Sequence, residues 1–502
     1  MRIALVPLDE RPVNTRYPQL IAAIAGAEVC LPPAEVLSDL RRPAQCDELA
    51  HWLRAMVDEI DALVVDLGML AAGGLIASRT TEEPPATVIG RLDLLRELKQ
   101  RRPDLQIIAF NVITRVSNAD DNSEEPLYWG EYGTRFYHFS QLLDRVQRGE
   151  AAAAELAAVR GELPEAYVDD FLRRRLRNHT LNLAALHLLH AGILDLLVIS
   201  SDDTSPYGLG SREKRWIAEW AAVLGFEGTG RLLMYPGADE VGCVLVMRLL
   251  LARAGLVPRL QVEYAIPAGA QIVAPYEDGP VATTVERQVA AIGGRIGTDE
   301  ADLWLVVTPP VPRRSEWDAA YAASERIERL PQLAMQVDRI GQWVRAGRLV
   351  IVADVAYPNG ADPVLIDLLR EQAVLAHLAA YGGWNTAGNT IGTALAEGCA
   401  TLLARTAQQR QVAEQFLLHR YLEDWGYQHE VRQAARAWLQ MTYGVGDPAA
   451  EHLVATRQWI ETQLAACLAR LPGFAGRWRI VAGSVRLPWR RLFEVDFDLE
   501  MV

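Results

Sequence analysis

Eight short apolar runs, rich in β-branched residues, recur along this 502-residue chain, and longer helix-forming text separates them. They read "RIALVPL" (2–8), "DALVVDLG" (61–68), "QIIAFNV" (106–112), "LDLLVIS" (194–200), "RLLMYP" (231–236), "LQVEYAI" (260–266), "LWLVVTP" (303–309) and "RLVIVADV" (348–355). A strand that is apolar at nearly every position must be covered on both faces. Intervening segments such as "DELAHWLRAMVDEI" and "VIGRLDLLRELKQRR" are amphipathic enough to supply that cover. The alternation predicts an α/β fold built on a parallel sheet. Eight strands fit a (β/α)8 TIM-barrel-like sheet, and an open doubly wound sheet in two lobes is the alternative.

Two stretches break the alternation. Residues 134–190 are almost wholly helical in pattern and insert between the third and fourth runs, and residues 393–471 are rich in Ala, Leu, Gln and Arg with few breakers. The last thirty residues return to strand-like alternation. The expected organisation is a barrel-like catalytic domain over 1–392, with its helical insertion at about 134–190, and a helical C-terminal region with short terminal strands over 393–502.

A formal net charge of -14, with no basic run interleaved with aromatics, argues against nucleic acid as a partner. No window reaches the roughly eighteen uninterrupted apolar residues of a spanning helix, and the opening "MRIALVPLDERP" lacks the layout of a secretion signal. Five scattered cysteines (Cys30, Cys46, Cys243, Cys399, Cys467) read as reduced thiols without a zinc framework. The expected setting is therefore cytoplasmic, with no membrane partner and with a homo-oligomer left open.

Polar text concentrates just past the carboxyl ends of the strands: "PLDERPVNTR" (7–16), "DLGMLAAGGLIASR" (66–79), "NVITRVSNADDN" (111–122), "SSDDTSPYG" (200–208), "YPGADEVG" (235–242), "ADVAYPNGAD" (353–362) and "YGGWNTAGNTIG" (381–392). Parallel α/β proteins build their sites on that edge. All nine histidines fall in helical text, and neither a Gly-x-Ser-x-Gly elbow nor a Walker loop occurs. The glycine-rich loops lack dinucleotide spacing, so neither a cofactor nor a metal enters this reading.

What remains is carboxylates, Asn, Arg, Tyr and Trp, the side chains that handle sugars: acids and bases for the glycosidic bond, polar groups for hydroxyls, aromatics for ring faces. Asp202 and Asp203 are the expected catalytic pair. A Ser-Asp-Asp helix cap with Thr204 and Ser205, and a divalent-cation site from Asp202, Asp203, Asp239 and Glu240, stand beside it. The expected substrate-binding set is Asp9, Glu10, Arg11, Arg115, Tyr207, Asp239, Glu240, Asp354, Tyr357, Asn359, Asp362, Trp384, Asn385 and Asn389. Asp9, Arg115, Asp202, Asp203, Asp354 and Trp384 are expected to line one cavity. A carboxylate-metal hydrolase or lyase and a non-catalytic sugar-binding protein are the rival functions.

Together, "VPLDERPVNTRYP", "GGLIASR", "SSDDTSPYG", "YPGADEVG", "ADVAYPNGAD", "YGGWNTAGNTIGTALA" and "LPWRRLFEVDF" identify the chain as a member of a bacterial family of roughly five-hundred-residue proteins, catalogued as a domain of unknown function. Separately, the Asp-Asp pair with the later Tyr-Pro-Asn and Trp-Asn loops resembles the O-GlcNAcase and hyaluronidase-like β-N-acetylhexosaminidases. That resemblance implies a retaining, substrate-assisted glycosidase. Asp202 would polarise the 2-acetamido group and Asp203 would protonate the leaving oxygen. Asn359 and Asp362 would hold hydroxyls, and Trp384 would line the acetamido pocket.

Overall fold

A computed structural model of the protein describes every residue except Asp203, Thr298 and Asp299. The eight apolar runs form β1 (Arg2–Val6), β3 (Ala62–Asp66), β4 (Gln106–Ile113), β5 (Leu196–Ser201), β6 (Leu232–Pro236), β7 (Arg259–Tyr264), β9 (Leu303–Thr308) and β10 (Val350–Asp354). Five shorter strands join them: β2 (Glu28–Cys30), β8 (Arg295–Ile296), β11 (Ala380–Gly382), β12 (Trp478–Ile480) and β13 (Leu499–Met501).

The α/β expectation holds, but the strands do not close into an eight-stranded barrel among the described residues. They form one open six-stranded sheet, β2-β1-β3-β4-β5-β6, and one open five-stranded sheet, β11-β10-β9-β7-β8, both parallel throughout. The physical reason is the short strands. β2 lies outside β1 and β8 lies outside β7, so the chain reverses direction across each sheet after two strands. A barrel needs each strand to pair with the next. Numbered within its own sheet, each begins in the order 2-1-3-4-5, with a switch point between its first and third strands.

The chain separates into two compact units that follow this division. One comprises Met1–Glu10, Glu28–Leu245 and Tyr276–Asp278 and contains the first sheet. The other comprises Arg11–Ala27, Val246–Pro275 and Gly279–Val502 and contains the second. Every position of β3, β5, β9 and β10 is buried, as a sheet covered on both faces requires. In the first unit, Ala4, Val6, Leu63, Val65, Ile107, Ala109, Leu197 and Ile199 meet the flanking helices in one apolar core.

The helical insertion is present as Trp129–Gln147, Ala153–Gly161 and Glu165–His190. It carries an aromatic core of its own, in which Trp129 stacks on Phe136 with centroids 5.0 Å apart. Helices also succeed one another from Ala387 to Leu468, and within them Tyr421–Val431 is wound as a π-helix. β12 and β13 then pair antiparallel. Among the described residues no helix is long and apolar enough to cross a membrane.

Candidate functional site

Polar side chains collect at the carboxyl ends of the first sheet. Beyond β1, Asp9 is buried, and Glu10 accepts hydrogen bonds from Ser38 Oγ (2.6 Å) and the Leu40 amide (2.9 Å). Burial, then the nearby Asp9, raise the pKa of Glu10. Asp66 ends β3 and caps the helix Leu67–Ala72 by accepting from the Met69 amide at 2.5 Å, while its other oxygen has no partner among the described residues. Burial pushes this carboxyl well above its usual range. Within β4, two residues before its end, Asn111 donates to Asn182 (2.6 Å). At the end of β6, Glu240 folds over Gly237 and accepts from the Ala238 amide at 3.0 Å. Gly237 has φ +139°, a conformation side chains rarely adopt, and a Cβ there would also push the Glu240 carboxylate aside. Asp239 is buried beside it.

The densest cluster lies between β4 and β5. Arg79 Nη2 donates to Asp202 at 2.5 Å, and its Nη1 lies 3.3 Å from Glu124 and 3.4 Å from Glu125. Arg115 reaches the same two glutamates, at 3.1 and 3.5 Å. Two guanidiniums thus face three carboxylates, and burial raises the pKa of Glu125 against the opposing pull of both arginines. The surrounding helices fix this geometry. From the helix Glu165–His190, Arg177 (2.5 Å) and Asn178 (2.9 Å) both donate to the carbonyl of Ser78, which precedes Arg79. Arg41 holds the carbonyls of Asn122 and Glu125 at 2.6 and 2.8 Å.

Asp202 keeps 17% of its side chain exposed, whereas Arg79 is almost sealed at 3%. The pocket that Asp202 lines also receives Ser140, Gln141, Thr204, Ser205 and Tyr207. Tyr207 packs under Arg145 and Arg148. The helix-cap alternative does not describe these residues. The next helix, Leu209–Val223, begins after Gly208 with no side-chain cap, Thr204 donates to the Tyr276 carbonyl, and Ser205 donates to that of Tyr207. Asp203 lies outside the described residues.

The remaining expected residues belong to the second unit. Arg11 lies 4.5 Å above the Trp489 ring and 3.6 Å from Glu494. Asp354, at the end of β10, is enclosed. It accepts from the amides of Ala356 (3.3 Å) and Asp362 (2.6 Å) and from Tyr381 Oη (3.0 Å). Asp362 caps the helix Pro363–Glu371 and pairs with Arg329 at 2.7 Å, and Tyr357 donates to Glu325 at 2.7 Å. Asn359 and Asn385 both sit in the left-handed region (φ +58° and +68°), and the Asn359 amide donates to the Asn385 carbonyl. Trp384 is buried 5.9 Å from the Phe493 ring, its indole N–H without an acceptor among the described residues, and Asn389 is buried in the helix Ala387–Leu403. The second sheet thus brings Asp354, Asp362, Asn359, Asn385 and Trp384 to adjacent loops, and the first sheet brings Arg115, Asp202 and Tyr207 to one pocket.

Sequence reasoning passed over the groups that hold these edges. Arg79 stands in the quoted "GGLIASR", but it occupies a four-residue helix, Ala77–Thr80, too short to show a period. Glu124 and Glu125 sit in a polar loop that reads as solvated text. In the second unit, Arg420, Glu423 and Asp424 look like the exposed face of a helix yet are buried. Among the described residues no three His, Cys, Asp or Glu side chains converge so as to hold a metal ion.

Fold and strand ends together define a two-sheet parallel α/β protein with a polar pocket on the carboxyl edge of its first sheet. The chain belongs to a family of proteins of unknown function, DUF4127, whose model matches residues 3–498. Neither the curated proteins nor the solved structures contain a match.

Proposed function

We propose that this chain is a glycoside hydrolase, acting on an N-acetylhexosaminide at the carboxyl edge of the first sheet. The observation that carries the reading is Asp202. It directly follows β5, is oriented by one guanidinium, and faces a pocket walled by hydroxyl and amide side chains. An oriented carboxylate among neutral hydrogen-bonding groups suits a polyhydroxylated substrate, whose own hydroxyls both donate and accept. Arg79 keeps the Asp202 carboxylate from rotating away, so that it polarises the substrate's 2-acetamido group, which attacks the anomeric carbon. Asp203 delivers a proton to the leaving oxygen and then takes one from the incoming water.

The test compares the wild type with Asp202→Asn and Asp203→Asn on an unactivated chitobiose-like substrate and on nitrophenyl N-acetylhexosaminides. Asp203→Asn should lose about a hundredfold or more on the unactivated bond, the scale of general acid catalysis, and much less on the nitrophenyl glycoside. Asp202→Asn should be slow on both. A wild-type protein that releases no nitrophenol from any hexosaminide would overturn the reading. So would equal small losses in every cell, accompanied by lower melting temperatures.

A further inference from the structure

The Asp202 pocket has a second wall that the acid chemistry does not use. The fifteen-residue helix Leu209–Val223 opens onto it through Gly208, Leu209, Gly210 and Ser211. Its leading amides divide into two groups. The Gly208 amide donates to the buried Asp144 (3.1 Å), and the Leu209 amide donates to Ser140 Oγ (2.9 Å). The next two amides, Gly210 and Ser211, have no acceptor among the described residues. The first N–H groups of a helix carry its positive dipole end and favour an anion.

An independent observation points to the same place. Ser201, the last residue of β5, lines this pocket, is 4% exposed, and its hydroxyl has no hydrogen-bond partner among the described residues. A buried hydroxyl left unmatched costs stability unless something in the pocket accepts from it. Arg115 and Lys214 line the same walls. The acids nearby already face cations: Asp202, Glu124 and Glu125 share Arg79, the two glutamates also face Arg115, Asp144 faces Arg148 and Arg215, and Asp278 faces Lys214.

We infer that the helix start and Ser201 form an oxyanion subsite, and that the substrate is an acidic sugar bearing a carboxylate or a phosphate. The word sugar rests on the glycosidase reading above; the anion subsite does not. The Gly210 and Ser211 amides and the Ser201 hydroxyl donate to the oxyanion.

The test uses the full-length protein and no glycoside. Inorganic phosphate and acetate are titrated separately by calorimetry against the wild type, Ser201→Ala and Gly210→Asp. Gly210 has room for a side chain, since an added Cβ would meet only ordinary contacts, the nearest at 3.7 Å from Ile113. An acid in the first turn also suits the helix. The wild type should bind at least one of the two probes, and whichever binds more tightly separates a phosphate from a carboxylate. Ser201→Ala should weaken that binding roughly tenfold, the scale of one charge-assisted hydrogen bond. Gly210→Asp should weaken it by about a hundredfold or more, because its carboxylate fills the seat, while the melting temperature is unchanged or higher. A wild type that binds neither probe, or binding indifferent to both substitutions, overturns the subsite. Because no turnover is measured, that failure is distinct from failure of the glycosidase reading.

Discussion

At the carboxyl edge of the first sheet, Asp202 meets one guanidinium and keeps part of its surface open to a pocket. At the same edge of the second, Asp354 is wholly enclosed by three donors. The sheets share a strand order, so topology alone does not decide which edge stays open. Packing decides it. Next to Asp354 in the second unit, Asp424 of the π-helix accepts from the Gly383 amide at 2.6 Å and from Arg420 at 2.7 Å, closing over the loop after β11. Arg420 also approaches Glu423, which accepts from Tyr17 Oη, and His419 lies 3.3 Å from Asp496. Burial pushes His419 down to about 4, so its ring is neutral at pH 7. Glu397 is fully buried, and burial pushes it well above the usual carboxylate range against the opposing charge of Arg420. The lesson is that buried charge at one edge holds the fold, while partly open charge at the other is available to a ligand.

The contrast fails if the second network is dispensable. Arg420→Met removes a guanidinium shared by Glu423 and Asp424 and should cost about 3–5 kcal/mol, read from chemical denaturation. A loss below about 1 kcal/mol would mean that the network does not hold that edge.

Arg79→Met removes the guanidinium that Asp202, Glu124 and Glu125 share. With Asp202 partly solvated, the expected cost is smaller, about 1–3 kcal/mol, and turnover should fall together with stability. Unchanged turnover would detach Arg79 from the site.

Glu397→Gln sharpens the comparison through pH. Folding raises the pKa of this carboxyl above its unfolded value of about 4.3. Above that pH the unfolded chain releases a proton that the folded chain keeps, so the wild type loses stability as pH rises toward the folded pKa. The glutamine variant lacks this loss. It should be more stable than the wild type at pH 8 and indistinguishable near pH 4, read from chemical denaturation at the two pH values. A difference independent of pH would contradict the assignment.

Much of the fold is readable in the sequence. All eight long strands coincide with apolar β-branched runs, and the helical insertion falls where periodicity places it. The sheet order is not readable, because it turns on β2, β8 and β11, which have three, two and three residues and show no period. The candidate site divides the same way. Asp202 and Arg115 announce themselves by following strands. Arg79 is brought to them by clamps from Arg177 and Asn178, contacts about a hundred residues apart in the chain. Arg420 and Asp424 are hidden because charged residues at helical spacing ordinarily face water, whereas here they turn inward.

The central claim is that the first sheet's edge does chemistry while the second's holds structure. Its most direct test measures kcat/KM on a nitrophenyl N-acetylhexosaminide, together with the melting temperature, for Asp202→Asn and Asp354→Asn. Asp202→Asn should lose about a hundredfold in kcat/KM, some 2.7 kcal/mol of transition-state stabilisation, with its melting temperature nearly unchanged. Asp354→Asn turns an acceptor oxygen that serves two donors into an amide. It should lose about 1–3 kcal/mol of stability while its folded fraction turns over at the wild-type rate. The reverse pattern, an active Asp202→Asn and a stable but inactive Asp354→Asn, would contradict the account.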